Sequence, residues 1–459
     1  MSSDGFPSNW TLSRLEEVMD AIIDYRGKTP KKTEFGIPLI TAKIVKAGYV
    51  QTPTEFIAED NYDDWMVRGL PEIGDVVLTT EAPLGEAAQL NDSNVALAQR
   101  IVTLRGKKGL LDNDYLLCAM QSDYVQHQLE SRATGSTVKG IKQSELRKIL
   151  LPIPPLDEQI KIARVLKTLS DKVSLNSQTN KTLEEIAQAL FKSWFVDFDP
   201  VKAKMEALAA GGSQTDAELA AMNVISAKTP EELKSLKESS PEAFKKLAQT
   251  AALFPENLVE SELGLIPEGW DVGTLSDVAK YCSARTNTDT ITFENYISTE
   301  NMLAEKKGVT AASKLPTAKT VAAYNSGDIL VSNIRPYFKK IWFAEGSGGR
   351  SNDVLGFESV NTNTDSYLMN LLYQDTFFEY MTRTSKGAKM PRGDKTAIMN
   401  WEMAVPSIEL REAFSAIVDK FYQLIPKNRA QNATLESLRD TLLPKLLSGE
   451  LNLTSESLG

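Results

Sequence analysis

A chain of 459 residues is too long for one hydrophobic core, so its size alone predicts two to four structural units. With 42% hydrophobic and 24% charged residues it resembles a soluble globular protein, and no run approaches the roughly 20 apolar residues of a membrane span. The net charge of −10 argues against a protein that coats nucleic acid indiscriminately, but it allows local basic patches.

Cysteine and histidine are scarce. Cys118, Cys282 and His127 do not supply the ligand spacing of a structural zinc site. The N-terminus lacks the basic start and apolar core of a signal peptide. We therefore expect reduced thiols, no metal and no cofactor in this chain, and a cytoplasmic location.

Residues 1–155 are predicted to form a mixed α/β unit. The runs Asp75–Thr80 and Arg100–Leu104 are rich in β-branched residues and bounded by turn residues, which indicates strands. A helix is predicted over Tyr115–Glu130. The prolines at 152, 154 and 155 end this unit and precede the next helix.

A long helix with a seven-residue apolar repeat is predicted next, within a spacer segment at 156–199. Its seam positions are Ile162, Leu169, Asn176, Leu183 and Leu190. Such a seam can be buried only against another helix.

Residues 200–266 have no counterpart later in the chain. Ala, Lys and Glu dominate, Gly211 and Gly212 interrupt the segment, and short helices are predicted at Pro230–Leu236 and Pro241–Leu253. We interpret it as a helical linker. A disordered spacer is the alternative, although the segment has apolar faces.

A second mixed α/β unit is predicted over 267–406, with strands at Asp328–Asn333 and Lys340–Ala344 and a helix at Tyr367–Thr382. A second spacer helix follows at 407–451, and a short tail occupies 452–459. The seam of this helix is formed by Phe414, Phe421, Asn428, Leu435 and Leu442.

The two halves repeat each other at a distance of 252 residues. Ile162 corresponds to Phe414 and Asn176 to Asn428, so the polar exception falls at the same heptad in both helices. We expect the helices to pack antiparallel, with the two asparagines facing each other or within one turn, where a buried asparagine fixes register. The alternative is that each asparagine is solvated where the seam opens.

Several strings occur twice or in a characteristic order. Residues 135–141 read Gly-Ser-Thr-Val-Lys-Gly-Ile, and 151–159 read Leu-Pro-Ile-Pro-Pro-Leu-Asp-Glu-Gln. The first spacer helix ends in Leu-Phe-Lys-Ser-Trp-Phe-Val-Asp-Phe at 190–198, and the second ends in Leu-Pro-Lys-Leu-Leu-Ser-Gly-Glu-Leu at 443–451. These strings resemble those of Type I restriction-modification specificity subunits. The start of the second helix departs from the pattern, with Glu-Leu-Arg-Glu at 409–412.

The resemblance implies an α+β fold with two target-recognition domains, separated by two long antiparallel coiled-coil helices in an internal pseudo-twofold repeat. It also implies recognition of a two-part asymmetric site in double-stranded DNA. The partners would be two adenine methyltransferase subunits and nuclease/translocase subunits, and S-adenosylmethionine, ATP and magnesium would belong to those partners. The sequence has no complete methylation, Walker A or nuclease motif, so the chain is predicted to be non-catalytic.

Candidate DNA contacts are basic and amide side chains near the glycine-rich turns. Arginine and asparagine can bind guanine and adenine edges through paired hydrogen bonds, whereas lysine mostly neutralises phosphates. In the first unit the candidates are Arg26, Lys28, Lys43, Ser136, Thr137 and Lys139. In the second unit they are Asn333, Arg335, Tyr337, Lys339, Lys340, Arg350, Asn352, Lys386, Lys389 and Arg392.

The helix ends offer candidates for methyltransferase docking, because aromatic anchors are favoured at interfaces. They are Phe191, Trp194, Phe195, Leu446 and Leu447. The aromatic residues could equally close the helical core. The rival class for the whole chain is a coiled-coil scaffold that binds protein without recognising DNA.

Overall fold

The structure is a computed structural model that describes residues 5–27, 29–46, 48–451 and 453. Contacts between Cα atoms divide the chain into two compact units. The first unit consists of Met1–Ser177 and Arg429–Gly459, and the second of Gln178–Asn428. Both boundaries fall inside the long helices. Of the predicted tail at 452–459, only residue 453 lies within the described residues.

The first unit is mixed α/β. Its strands are β1 (Thr11–Arg14), β2 (Met19–Asp24), β3 (Lys32–Thr33), β4 (Ile37–Ile40), β5 (Val45–Lys46), β6 (Tyr49–Val50), β7 (Phe56–Ile57), β8 (Val76–Thr80), β9 (Leu84–Gln89), β10 (Ala96–Leu97), β11 (Ile101–Gly106) and β12 (Leu150–Ile153). Its helices before the first long helix are α1 (Leu15–Val18), α2 (Tyr62–Trp65), α3 (Asn113–Gln121), α4 (Asp123–Arg132) and α5 (Gln143–Leu146).

The central antiparallel sheet of this unit has the order β2-β11-β8-β9. All five residues of β8 are buried, which explains why its sequence is a continuous run of β-branched and apolar residues rather than an alternating one. A second sheet has the order β10-β4-β7-β3. The strands predicted at Asp75–Thr80 and Arg100–Leu104 are thus confirmed to within two residues at each end.

The helix predicted over Tyr115–Glu130 is interrupted. Ser122 has an extended backbone (φ −70°, ψ 147°), and its hydroxyl accepts a hydrogen bond from the backbone N–H of Val125. Serine is a favoured N-cap because its side chain satisfies an otherwise unpaired N–H group in the first turn. It therefore ends α3 and begins α4.

The long helix α6 (Leu156–Phe195) follows β12, and further helices connect it to the second sheet system. They are α7 (Asp199–Ala209), α8 (Gln214–Ser226), α9 (Pro230–Ser239) and α10 (Pro241–Ala252). Most of the segment interpreted as a linker is therefore helical, and all of it belongs to the second compact unit. The sequence did not predict the hairpin that follows α10, formed by β13 (Leu258–Ser261) and β14 (Gly264–Pro267).

The rest of the second unit is again mixed α/β. Its strands are β15 (Asp271–Thr274), β16 (Ala279–Tyr281), β17 (Arg285–Asn287), β18 (Tyr296–Ile297), β19 (Thr320–Tyr324), β20 (Ile329–Ser332), β21 (Ile341–Phe343), β22 (Gly348–Arg350), β23 (Val354–Ser359) and β24 (Glu402–Val405). Its helices are α11 (Asp365–Leu372), α12 (Asp375–Arg383), α13 (Lys395–Met399) and the long α14 (Ile408–Leu447). The helix predicted over Tyr367–Thr382 is thus also two helices.

The internal repeat is present in the strand order. The sheet β16-β23-β20-β21 has the same antiparallel connectivity as β2-β11-β8-β9. The pair β15/β24 repeats the pair β1/β12, with Asp271 opposite Val405 and Thr11 opposite Ile153. Each half therefore closes the end of its α/β region with a strand that leads directly into a long helix.

The two long helices pack antiparallel within each unit. In the first unit, the Asn176 side-chain N–H donates to Gln431 at 2.8 Å and to Asn432 at 2.9 Å. In the second unit, Asn428 donates to Asn180 at 2.8 Å. Asn176 and Asn180 are only 3% and 8% exposed, so the seam is closed around them. Each predicted seam asparagine thus pairs with an asparagine of the other helix that lies one turn from its predicted counterpart, which agrees with the predicted range.

The predicted seam positions differ in depth. Ile162, Asn176 and Phe414 are buried. The others are half-buried: Leu169, Leu183, Leu190, Phe421, Asn428, Leu435 and Leu442.

Candidate nucleic-acid interface

Each unit carries a short loop that the sequence marks with a glycine. We call residues 134–140 the first glycine loop and residues 386–392 the second. Thr134 and Gly140 exchange two backbone hydrogen bonds of 2.8 and 2.9 Å, and Lys386 and Arg392 do the same at 2.8 and 2.9 Å. Both loops are therefore closed by the same pair of bonds.

The glycine after the first bonded residue has a positive φ in both loops, 109° at Gly135 and 99° at Gly387. A Cβ atom added to Gly135 would lie 2.1 Å from the carbonyl oxygen of Val138. Only glycine adopts this backbone without strain or a clash. The glycine in each string is therefore a requirement of the loop itself.

The residue that follows each glycine loop is hydrogen-bonded to the end of a central strand, β8 in the first unit and β20 in the second. The N–H of Ile141 donates to the carbonyl of Thr80, and the N–H of Gly393 donates to the carbonyl of Asn333, each at 3.1 Å. Shortly after these strand ends stands a non-glycine residue with positive φ, Ala82 at 49° and Arg335 at 50°. The two units thus build the same local arrangement.

The first glycine loop presents polar side chains to solvent. Ser136, Thr137 and Lys139 are exposed, as is the apolar Val138 between them. The exposed Arg100 lies on the adjoining segment, where its carbonyl accepts a hydrogen bond from the N–H of Thr80 at 2.9 Å. The sequence analysis placed Arg100 at the start of a predicted strand and did not name it as a candidate contact.

Lys43 and Arg100 line one cavity of about 200 Å³ beside Ala82 in the first unit. The Lys43 side chain is largely exposed, and its Nζ lies 3.9 Å from a carboxylate oxygen of Glu55. Lys32 also lines this cavity and pairs with Glu55 at 2.8 Å, so three cations surround one carboxylate at this concave surface.

The Arg26 side chain is bound to other residues of its own unit. Its guanidinium pairs with Asp24 at 2.6 Å and donates to the carbonyl of Ile141 at 2.5 Å. It therefore supports the segment that follows the first glycine loop. Lys28, also a predicted contact, lies outside the described residues.

Four predicted contacts lie on connected segments of the second unit. The N–H of Arg335 donates to the carbonyl of Pro391 at 2.8 Å, which ties Arg335 to the second glycine loop. The Arg392 guanidinium lies 3.2 Å from Asp353, next to the exposed Asn352. Lys389 is exposed within the same loop.

Lys386 also lies on this loop and forms an ion pair with Asp394. The hydrogen bond from Lys386 holds the pKa of the Asp394 carboxyl below its ordinary value. Part of the positive charge of the second glycine loop is therefore balanced within the unit.

Arg350 is not at the surface, contrary to expectation. It is 8% exposed, and its guanidinium donates to the carbonyls of Val354 at 2.6 Å, Cys282 at 2.9 Å and Ala323 at 3.3 Å. Burial lowers its pKa. This side chain joins the two sheets of the second unit and is not accessible to DNA.

Asn333 is also buried, and its side-chain oxygen has no hydrogen-bond partner among the described residues. Thr80, the residue at the same place in the first unit, has a buried hydroxyl oxygen that likewise lacks a partner there. An unpaired polar atom therefore lies behind each glycine loop. Direct contact between Asn333 and a base would require the loop to move.

Three further candidates lie on the turn after β20. Tyr337 is exposed, while Lys339 pairs with Asp375 at 3.0 Å and Lys340 donates to the carbonyl of Thr299 at 2.6 Å. The two lysines are thus engaged within the unit, and Tyr337 is available at its surface.

The predicted docking residues lie in the cores of their units. Phe191, Trp194 and Phe195 are buried and pack around Phe414, with ring centroids 5.3 to 5.7 Å away. Leu446 and Leu447 are buried in the core of the first unit. These contacts support the packing interpretation, so a docking surface on these helices would have to use exposed neighbours.

No group of His, Cys, Asp and Glu side chains suited to holding a metal ion occurs within the described ranges. A search of the same residues finds no helix long and apolar enough to cross a membrane. His127 belongs to α4, and the Cys118 thiol is buried, which raises its pKa to about 12.

Comparison with known proteins agrees with this architecture. The family model described as Type I restriction modification DNA specificity domain matches residues 7–185. The HindI specificity subunit of Haemophilus influenzae is 30% identical over 344 residues, which cover 72% of this chain and 74% of the relative. The MjaIX specificity subunit of Methanocaldococcus jannaschii is 25% identical, over 97% of this chain and 94% of the relative.

Among solved structures, the Type I restriction-modification S subunit from M. genitalium has a TM-score of 0.53 at 14% identity and covers 99% of both chains. This likeness shows the fold. The sequence relatives show the family, because the similarity to the Haemophilus protein extends over most of both chains. The chain therefore belongs to the Type I restriction enzyme specificity subunits.

Proposed function

We propose that this chain recognises an interrupted, asymmetric sequence in double-stranded DNA, with one part of the sequence bound by each unit. The observation that carries the proposal is the repeated arrangement of glycine loop and strand end. The two loops share their closing hydrogen bonds and their connection to the central sheet. Two copies of one backbone arrangement support two binding sites of the same kind.

The side chains on the two loops differ, which supports an asymmetric target. Thr137 of the first loop corresponds to Lys389 of the second, and Gly140 corresponds to Arg392. Arginine can donate two hydrogen bonds to guanine in the major groove, whereas glycine at the same place has no side chain that could contact a base. Different side chains on the same backbone favour different bases.

We further propose that the chain is a non-catalytic adaptor for two adenine methyltransferase subunits and for ATP-dependent nuclease/translocase subunits. Exposed apolar side chains on the long helices support this role. Ile186 in the second unit and Leu438 in the first are both exposed, and they occupy the same position of the repeat. Two similar apolar positions fit two copies of one partner.

The adaptor role also fits the charge. A net charge of −10 is unfavourable for binding a polyanion, so the partner subunits would supply part of the positive surface that holds the DNA. S-adenosylmethionine, ATP and magnesium would be bound by those partners.

The test is an exchange of residues 1–155 for the corresponding segment of a related subunit, followed by methylome sequencing of cells that carry the assembled system. We expect one part of the methylated sequence to change and the other to remain. Exchange of residues 267–406 is the matched control and should change only the other part. A change in both parts from a single exchange would refute the modular proposal.

A further inference from the structure

The second unit exposes two adjacent aromatic rings on a short turn. Residues Pro336–Phe338 form a single 3-10 turn after β20. Tyr337 is 47% exposed and Phe338 is 37% exposed, and their ring centroids are 4.8 Å apart with an angle of 54° between the planes. Adjacent exposed rings form a patch of the kind that marks binding surfaces.

The backbone of this turn is strained and held in place. Arg335 and Lys339, which flank it, both have φ of 50°, a left-handed conformation that costs energy in a non-glycine residue. The N–H of Glu305 donates to the carbonyl of Phe338 at 2.8 Å, and that of Lys306 to the carbonyl of Lys339 at 2.9 Å. The neighbouring segment therefore fixes the strained turn.

Side chains add to this support. Lys306 and Lys339 both bind Asp375, at 2.7 and 3.0 Å, and these hydrogen bonds lower the pKa of the Asp375 carboxyl. A carboxylate that stays charged keeps both lysines in place. The aromatic pair is thus presented on a pre-organised support, which reduces the entropy cost of binding through it.

The turn is joined to the proposed DNA-binding surface. Arg335, at its start, donates its N–H to Pro391 of the second glycine loop at 2.8 Å. The Lys340 ammonium, at its end, lies 6.0 Å from the centre of the Phe338 ring. The exposed Arg335 is thus a cation beside an exposed aromatic pair, a combination that favours a nucleic acid over an apolar protein surface.

The equivalent turn of the first unit lacks this feature. Ala82 corresponds to Arg335 by its positive φ and by the proline that follows, so Leu84 and Gly85 stand where Tyr337 and Phe338 stand in the second unit. Leu84 and Gly85 belong to strand β9. Neither residue offers a ring that could stack on a base.

We propose that Tyr337 and Phe338 form a wedge that partly unstacks one base step in the DNA bound by the second unit, and that the first unit leaves its DNA stacked. This inference rests on the proposed function and adds to it a recognition of DNA deformability. Inserting side chains into a base step costs free energy because the bases unstack, and the added contacts offset this cost. Flexible pyrimidine–purine steps are the easiest to open. The second unit would therefore favour such a step at a position without a hydrogen-bonded base contact.

The test uses the complete complex of this chain with its methyltransferase subunits, on duplexes that contain the site found by methylome sequencing. 2-Aminopurine replaces single bases along each part of the site, and its fluorescence rises where stacking is lost. We expect a rise at one step in the part bound by the second unit. The double variant Tyr337→Ala/Phe338→Ala should abolish this rise and weaken binding roughly tenfold, which is the size expected for the loss of base–aromatic stacking.

Two controls separate stacking from general damage. Tyr337→Phe keeps the ring and should keep the fluorescence rise. Phe293→Ala removes another exposed aromatic ring of the same unit and should change nothing. A mismatch placed at the opened step should restore binding by the double variant, because the mismatch removes the cost of unstacking.

The proposal is overturned if the wild-type complex binds and methylates its site without a fluorescence rise in the second part, and that result leaves the proposed function intact. Weakened binding by the double variant that a mismatch does not restore also overturns it. A complex that recognises no interrupted site at all would overturn the proposed function, and this inference with it.

Discussion

The asparagine pair in the second unit allows a quantitative prediction for the helix seam. Asn180 is 8% exposed, its side-chain oxygen accepts from Asn428 at 2.8 Å, and its N–H lies 3.5 Å from the carbonyl of Ile425. Asn428 is half-buried and can reach water. The two amides are therefore unequal, and replacing each by leucine should have different effects on the free energy of unfolding.

Asn428→Leu leaves the buried oxygen of Asn180 without a partner, at a cost of about 1–3 kcal/mol. The half-buried leucine recovers about 1 kcal/mol of this loss. The single variant should therefore be less stable by about 1 kcal/mol. Replacing both asparagines removes the unpaired group and buries two apolar side chains, so the double variant should be about 1–2 kcal/mol more stable than the parent.

The measurement is a double-mutant cycle of urea unfolding on the full chain, with hydrogen exchange over 178–195 and 408–428 to locate the change in the second unit. Asn180→Leu completes the cycle and should be close to neutral, because Asn428 can turn to water. The reasoning fails if Asn428→Leu is as stable as the parent, or if the double variant is less stable than Asn428→Leu.

Two other predictions concern buried polar groups. Thr80→Val removes a buried hydroxyl that lacks a partner among the described residues and keeps its shape, so thermal unfolding should show stability raised by about 1 kcal/mol; a loss of stability would show that the hydroxyl is paired. Burial raises the pKa of Asp419, so the folded chain holds this proton more tightly than the unfolded chain does. Stability should therefore fall as pH rises from roughly 4, the ordinary carboxyl value, through the raised pKa. Asp419→Asn should reduce this fall when thermal unfolding is followed across this pH range, and an unchanged pH profile would contradict the prediction.

The long helices were predictable because a seven-residue apolar period has one physical solution, a buried seam. The period also located the polar layer, with Asn176 and Asn428 at matching heptads. The exact partners were not predictable, because register depends on the packing at both ends of the helices. A shift of one turn pairs Asn176 with Asn432 in place of Asn428.

The shorter elements show where sequence patterns lose information. Apolar spacing continues through Ser122, so periodicity predicted one helix where a serine cap makes two. The hairpin of β13 and β14 has only four residues in each strand, too few for an alternating pattern to stand out.

The sequence indicated where the two candidate loops lie, but it did not indicate which of their neighbouring side chains are exposed. The glycine strings located both loops, because a positive φ and a close approach to Val138 leave glycine as the fitting residue at position 135. Charge alone could not separate the exposed Arg392 from the buried Arg350. Arg350 is enclosed by carbonyl groups from segments distant in sequence, and only the fold brings those segments together.

The two halves of the chain resemble each other more in backbone arrangement than in the charge of corresponding side chains. The contact between each α/β region and its long helix shows this difference. In the first unit, Lys167 of α6 pairs with Asp114 of α3 at 2.9 Å. The same two places in the second unit hold Asp419 of α14 and Ser366 of α11, joined by a hydrogen bond from the serine hydroxyl to the carboxylate. An aspartate at position 114 suits a lysine on its helix and would be repelled by an aspartate there. Each α/β region is therefore matched to its own helix, which favours two distinct halves over interchangeable copies and agrees with an asymmetric DNA target.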